Sequence, residues 1–204
     1  MTLHASLVSG AGSSDPVHSS QSVFRSVMNA LARPGSIHTV SPVANAPSRL
    51  MPATAAVTLS LFDHDTPIWI DDHFTADPAV SEWLRFQSDA PLVVDASRAS
   101  FALIHSGAAL PDFNTFALGT PEYPDRSTTL VVQVDTLTAG PELVLRGPGI
   151  NGTASLHAGA LPSDFVARMQ ANRALFPRGL DLLLICGAEL VALPRSTHVT
   201  ARGA

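Results

Sequence analysis

Helical and strand-like spacing of apolar residues alternate along the chain. Helical spacing occurs in HSSQSVFRSVMNALARPG (18–35), ATAAVTLSLF (53–62), ADPAVSEWLRFQ (76–87) and PSDFVARMQANRAL (162–175). In the first helix, Ser19 or Ser20 can form the N-cap. This helix ends at Arg33-Pro34-Gly35 because proline disfavours helical geometry in the residue before it. In the third helix, Asp77 is the expected N-cap and Pro78 the first helical residue.

Short apolar runs between these helices predict strands. The runs are SIHTV (36–40), PIWI (67–70), PLVVDA (91–96), FALIH (101–105), TTLVVQVDTL (128–137), PELVLRG (141–147) and the two halves of LDLLLICGAELVALP (180–194). We expect PELVLRG to pair with TTLVVQVDTL through the Ala139-Gly140 turn, and the last two strands to meet at a glycine turn. Alternating helices and strands with a hairpin near the end predict an α/β protein with a mixed sheet.

The length of 204 residues suits one substantial domain. Residues 1–14 are small and polar, so we expect a flexible N-terminal segment ahead of a single domain at 15–200. A secretory signal is not expected, and no run approaches the ~18 apolar residues of a membrane span. The single cysteine, Cys186, cannot form an internal disulfide and lies in an apolar run, so we interpret it as a core residue. These features favour a cytoplasmic protein without a membrane segment.

The charged residues argue against two classes of protein, nucleic-acid binders and enzymes that hold pyridoxal phosphate on a lysine. Seventeen acidic residues oppose twelve arginines, the net charge is −5, and the chain has no lysine. A negative net charge argues against a nucleic-acid partner. Without a lysine amine the protein cannot form an internal Schiff base with pyridoxal phosphate, so we expect no cofactor of that kind.

The sequence offers no self-contained catalytic motif. The segment RGPGINGT (146–153) follows a predicted strand but lacks the lysine of a phosphate-binding loop, so a tight turn between strands is the favoured interpretation. The segment FDHDTPIWIDDHF (62–74) places Asp and His residues at both ends of one strand, about 20 Å apart at ~3.3 Å per residue. Acidic turn residues are therefore favoured over a metal site. The motifs G-x-S-x-G, H-E-x-x-H and G-x-G-x-x-G do not occur.

Three arginines, Arg33, Arg178 and Arg195, stand next to proline at predicted element boundaries. At such a position a guanidinium can cap carbonyl groups or bind a phosphate or carboxylate. Residue chemistry alone favours the structural role and leaves anion binding as the alternative.

Four motifs in order carry a resemblance to a known family: FRSVMNALARPG (24–35), LGTPEYPDRSTTLVVQV (118–134), LRGPGI (145–150) and NRALFPRGLDLLLICGAELVALPRST (172–197). From about Asp15 to Val199 the chain resembles the PhnH family, whose members are components of the carbon–phosphorus lyase system for phosphonate breakdown. The family pattern falls on Phe24, Arg25, Arg33, Pro34, Gly35, Gly119, Pro124, Gly147, Pro148, Gly149, Asn172, Pro177, Gly179, Asp181, Pro194, Arg195 and Thr197. Ser196 stands where the family more often has threonine, which retains the hydroxyl.

The resemblance implies a three-layer α/β/α fold around a mixed sheet, like that of pyridoxal-phosphate-dependent transferases but without the cofactor. It also implies a homodimer that joins subunits G, I and J in a core complex. With an ATP-binding-cassette-type subunit, that complex makes α-D-ribose 1-methylphosphonate 5-triphosphate from a nucleoside triphosphate and an alkylphosphonate, displacing the base. The resemblance assigns no catalytic role to any residue of this chain.

We therefore expect a subunit of the carbon–phosphorus lyase core complex without independent catalytic activity. A secondary hypothesis places a nucleotide-binding or phosphonate-binding anion site at Arg33, Arg178, Arg195 and Thr197, with no metal site. Two alternatives stay open: a free-standing enzyme that binds a phosphorylated small molecule, and a purely structural scaffold subunit with an apolar surface patch.

Overall fold

A computed structural model describes residues 16–203, so the predicted flexible segment at 1–14 lies outside the described residues. The helices are α1 (Pro16–Ala32), α2 (Pro52–Leu61), α3 (Asp72–Thr75), α4 (Pro78–Ser88) and α5 (Phe165–Ala174). The strands are β1 (His38–Thr39), β2 (Ile68–Ile70), β3 (Phe101–Ile104), β4 (Thr129–Gln133), β5 (Glu142–Arg146), β6 (Ala154–His157), β7 (Asp181–Cys186), β8 (Glu189–Leu193) and β9 (His198–Ala201). None of the helices within 16–203 has the length and apolar character needed to cross a membrane.

A six-stranded mixed sheet organises the fold in the order β1-β8-β7-β4-β3-β2. Strands β2, β3, β4 and β7 run parallel, whereas β8 and β1 are antiparallel to their neighbours. The predicted α/β class and mixed sheet are confirmed. The carboxyl ends of the four parallel strands therefore lie along one edge of the sheet, where ligands commonly bind in open α/β folds.

Successive residues of the central strands face opposite sides of this sheet. On β7, Leu183 and Ile185 belong to the apolar cluster that includes α1, α2 and α4. Leu182 and Leu184 belong to the opposite cluster, which includes α5 and a separate three-stranded sheet, β6-β5-β9. The second outer layer thus contains a small sheet as well as a helix, a difference from the expected α/β/α layers.

Three strand predictions need correction. The expected pairing of PELVLRG with TTLVVQVDTL is wrong, because β4 already lies between β3 and β7 and has no open edge. Strand β5 pairs instead with β6 and β9. The run PLVVDA is not a strand: it makes one bridge, from Leu92 to Ile68, and Val94 is 97% exposed. Strands β6 and β9 were not predicted from the apolar pattern.

The predicted boundaries of α1 and α4 are confirmed in part. Helix α1 ends at Ala32, directly before Arg33-Pro34-Gly35, as expected. It begins at Pro16, so Ser19 and Ser20 lie inside the helix and the predicted cap is wrong. The predicted cap of α4 is confirmed, since the Asp77 carboxylate accepts a hydrogen bond from the Ala79 N–H at 3.1 Å.

Candidate functional site

Arg195 forms an internal polar cluster, here called the arginine hub, with Asp181, Ser127, Pro124 and Pro177. Its Nε and Nη2 donate to the two oxygens of Asp181 at 3.2 and 2.5 Å, and Nη2 also donates to Ser127 Oγ at 2.6 Å. Its Nη1 donates to the carbonyls of Pro124 at 2.7 Å and Pro177 at 3.4 Å. A guanidinium has five N–H donors. All five are therefore used inside the protein.

The arginine hub has a structural role in this fold. The side chains of Arg195 and Asp181 are only 14% and 22% exposed. Their contacts join the start of β7, the turn after β8 and two proline-containing loops. These are the carbonyl-capping contacts that residue chemistry favoured for Arg195.

The other predicted anion-binding residues do not join Arg195 around one ligand-sized space. Arg33 is exposed at the end of α1, and Arg178 is half-buried in the turn after α5. Thr197 is 1% exposed, and its Oγ1 has no hydrogen-bond partner among the described residues. A groove of about 300 Å³ lies nearby, but it is lined by Pro148, Arg173, Phe176 and Ser196. The role of the predicted set in anion binding stays a prediction.

Glycine turns bring three of the four sequence motifs together. A Cβ at Gly149 (φ +81°) would lie 2.0 Å from the carbonyl oxygen of Ala32, so only glycine allows this contact between the second sheet and the end of α1. Gly147 lies close to Ser196, since a Cβ on Gly147 would be 3.0 Å from the Ser196 carbonyl oxygen. The interpretation of RGPGINGT as a turn between strands is confirmed, because it connects β5 to β6.

A second polar group lies at the carboxyl edge of the parallel strands. This histidine cluster consists of Asp71, which follows β2, His105, which follows β3, Gln133, which ends β4, and the flanking residues His73 and Arg49. Strand register places these positions side by side, since Ile70 pairs with Leu103 and Ile104 with Val132.

Asp71 fixes the orientation of the His105 ring. Its Oδ2 lies 2.6 Å from His105 Nδ1 and accepts the His105 backbone N–H at 2.7 Å, while Oδ1 accepts the Phe74 N–H at 3.1 Å. The ionised carboxylate only accepts hydrogen bonds, so Nδ1 of His105 carries a proton. The side chains of Asp71 and His105 are 10% and 30% exposed. No described residue hydrogen-bonds to His105 Nε2.

His73 stacks on His105, with ring centroids 4.2 Å apart and an angle of 19° between the planes. Arg49 Nη1 donates to His73 Nε2 and to the His73 carbonyl, both at 3.0 Å, and Arg49 Nε pairs with Asp77 at 3.1 Å. Because a guanidinium only donates, His73 Nε2 is an acceptor and the proton of this ring is on Nδ1. The two stacked rings therefore differ in the nitrogen left available for a ligand.

Gln133 holds the cluster from inside the protein. It is 4% exposed, and its amide donates to the carbonyls of Arg49 at 3.1 Å and His105 at 3.4 Å. Its Oε1 accepts from the Met51 N–H at 2.7 Å and from Thr54 Oγ1 at 3.0 Å. One buried side chain thus connects the histidine cluster to the start of α2.

Cys186 ends β7 at the same edge of the sheet but is not suited to nucleophilic chemistry. Burial raises the pKa of its thiol, and the negative charges of Glu189 and Asp135 act in the same direction. Its sulfur donates a hydrogen bond to the Asp135 carbonyl at 3.4 Å. A thiol with a raised pKa stays protonated at neutral pH and reacts slowly.

No sequence motif predicted this cluster as a site. Asp71 and His73 were weighed as metal ligands and interpreted instead as turn residues, and residues 16–203 contain no group of three or more His, Cys, Asp or Glu side chains able to hold a metal ion. Arg49, His105 and Gln133 were not predicted. The available signal was a polar residue at the end of each of three buried strands, but it becomes informative only once those strands are known to be parallel and adjacent.

The fold and the histidine cluster define an α/β protein whose candidate site lies at the carboxyl ends of its parallel strands. Comparison with known proteins identifies the family. The family model described as bacterial phosphonate metabolism protein (PhnH) matches residues 11–200. The chain belongs to the PhnH family, which confirms the resemblance seen in the four motifs.

Two relatives are consistent with this assignment. The chain is 45% identical over 199 residues to the alpha-D-ribose 1-methylphosphonate 5-triphosphate synthase subunit PhnH of Rhizobium meliloti (strain 1021), an alignment that covers 98% of each chain. It is 37% identical over 87 residues to HtxG of Stutzerimonas stutzeri, a candidate C-P lyase subunit, across 43% of this chain and 45% of that protein.

Proposed function

We propose that this protein is a subunit of a complex that synthesises α-D-ribose 1-methylphosphonate 5-triphosphate during phosphonate breakdown. The supporting observation is the 45% identity to a subunit of that synthase across 98% of both chains. An alignment of that extent includes both sheets, the arginine hub and the histidine cluster. The absence of an established catalytic motif is consistent with a chain that acts inside an assembly.

We expect a cytoplasmic homodimer that joins subunits G, I and J. Helix α1 supports an interaction of this kind, because Phe24 and Met28 are 48% and 49% exposed and lie one helical turn apart. We also propose that the fold is related to the pyridoxal-phosphate-dependent transferases and has lost their cofactor. The chain has no lysine that could hold pyridoxal phosphate as a Schiff base.

Co-expression with subunits G, I and J tests the proposal directly. We expect the four chains to elute together in size-exclusion chromatography. We also expect a strain that lacks this gene to regain growth on methylphosphonate as sole phosphorus source when the gene is supplied. Growth on phosphate is the matched control, because it needs no carbon–phosphorus bond cleavage.

A protein that elutes alone and does not restore growth on methylphosphonate would contradict the proposal. Turnover of a phosphorylated compound by the isolated chain would instead identify a free-standing enzyme. A scaffold role predicts that assembly is lost without this chain and that no substitution in the histidine cluster affects turnover.

A further inference from the structure

The histidine cluster leaves three nitrogen groups without a partner among the described residues. They are Nε2 of His105, Nδ1 of His73 and Nη2 of Arg49. The other polar groups of these side chains already have partners: His105 Nδ1 contacts Asp71, Arg49 contacts His73 and Asp77, and Gln133 contacts Thr54 and the backbone. A cluster that is held this firmly from inside, while three of its nitrogens stay available at the surface, has the construction of a binding site.

The available groups match a tetrahedral oxyanion that carries one proton. Arg49 is a permanent cation, and its planar guanidinium binds such oxygens well. His73 offers an N–H donor, because its Nε2 is occupied by Arg49. His105 offers an acceptor at Nε2, because its Nδ1 proton is shared with Asp71. A carboxylate hydrogen-bonded to the far nitrogen also stabilises the imidazolium that forms when Nε2 takes up a proton.

Building on the function proposed above, we propose that the histidine cluster binds the alkylphosphonate substrate and that His105 accepts the proton of its monoanion. The O–H bond of the phosphonate breaks, the proton bonds to His105 Nε2, and the electron pair stays on the oxygen. This oxygen is then the nucleophile that bonds to the anomeric carbon of the nucleoside triphosphate while the base leaves with the electrons of its glycosidic bond. Arg49 and His73 hold the remaining oxygens.

The charges that face His105 are few and can be named. Asp71 is the carboxylate in direct contact with His105, and the ring of His73 is stacked on the ring of His105. Beyond them lie Arg49, which pairs with Asp77, and the exposed Asp72 at the start of α3. Because Asp77 is paired with Arg49, the proposed step involves only the proton that passes from the phosphonate to His105.

Kinetics of the reconstituted complex test this assignment with a matched set of histidine variants. In His105→Gln we expect kcat/KM for methylphosphonate to fall about 100-fold, the usual scale for a lost proton-transfer group. In His73→Gln we expect KM for methylphosphonate to rise about tenfold. In Asp71→Asn we expect kcat/KM for methylphosphonate to fall about tenfold, because His105 loses the partner that orients its ring. KM for the nucleoside triphosphate should not change. His157→Gln, which alters a histidine of the second sheet, is the control and should behave as wild type.

The pH dependence separates proton transfer from a structural role. The wild-type kcat/KM should fall at low pH, because His105 can accept the phosphonate proton only while its Nε2 carries none. His105→Gln should retain only the change due to the phosphonate itself. Competitive inhibition by inorganic phosphate should become weaker in the same variants, because phosphate presents the same kind of oxyanion as the phosphonate.

Three outcomes separate the possible failures. If the wild-type chain is dispensable for turnover, the proposed function itself is wrong. If the complex needs the chain but His105→Gln and His73→Gln keep the wild-type KM and pH profile, the phosphonate site is wrong and the function stands. If variants fail to assemble in size-exclusion chromatography, His73→Gln decides, because this ring is exposed and its polar contact, the hydrogen bond from Arg49, lies at the surface. A wild-type KM in an assembled His73→Gln complex would overturn the site.

Discussion

The arginine hub and the histidine cluster are both built around a basic side chain held by an aspartate, yet they differ in how many hydrogen-bonding groups remain without a partner among the described residues. In the hub, every N–H of Arg195 has an acceptor inside the protein. In the cluster, Asp71 uses its carboxylate to orient His105 and leaves Nε2 of the ring available. A charged residue at a loop therefore indicates a ligand site only if some of its hydrogen-bonding capacity remains after the fold has formed.

The difference has an energetic cause. Removing an arginine from water is costly, and a bidentate aspartate with three further acceptors offsets that cost only when the geometry is complete. His105 at the sheet edge keeps part of its ring in solvent, and its Nε2 has no partner among the described residues. The first arrangement stabilises a fold, and the second can take part in chemistry.

Removing the centre of the hub should have the largest effect on stability. In Arg195→Ala, Asp181 stays partly buried without its cation, so we expect the free energy of unfolding to fall by about 3 kcal/mol. Urea denaturation followed by circular dichroism measures this. Arg178→Ala is the control and should have little effect, because no described residue accepts a hydrogen bond from its guanidinium. Equal effects of the two variants would contradict the structural role of the hub.

Removing the buried anchor of the cluster should have a smaller effect on stability. Gln133→Leu leaves the Met51 N–H, the Arg49 carbonyl and the His105 carbonyl without their present partner. We expect a loss of about 2 kcal/mol in the free energy of unfolding, together with a raised KM for methylphosphonate in the complex. The control is Gln87→Leu, which changes an exposed glutamine of α4. A destabilised variant with an unchanged KM would separate the anchor from substrate binding.

The smallest effect is expected at Thr197, which the sequence analysis placed in an anion site. Its buried Oγ1 has no partner among the described residues, so Thr197→Val should leave stability unchanged or raise it by up to about 1 kcal/mol. The matched variant Thr54→Val removes a buried hydroxyl that does donate, to Gln133 at 3.0 Å, and should be destabilising. Thermal unfolding of the two variants makes the comparison. Weaker binding of ATP or methylphosphonate in Thr197→Val would instead support the predicted anion site.

Local patterns predicted four of the five described helices, all but the short α3, and the six strands of the large sheet. The apolar spacing of α2, α4 and α5 and the Asp77 cap depend on neighbours along the chain, and the structure confirms them. The partner of β5 depends on which sheet edge remains open, which no local pattern contains. Local pattern also did not determine which apolar residues of α1 stay exposed. The helix buries Val23, Val27 and Ala30 and leaves Phe24 and Met28 exposed.

The sequence by itself determined the α/β class and, through four ordered motifs, the family. These properties follow from residue identity and short-range spacing. Only the tertiary structure decided which charged groups are used internally, because hydrogen-bond partners such as Arg195 and Pro124 or Asp71 and His105 are far apart in the chain. Parallel strand order placed Asp71, His105 and Gln133 at one edge, and their candidate role arises from that arrangement.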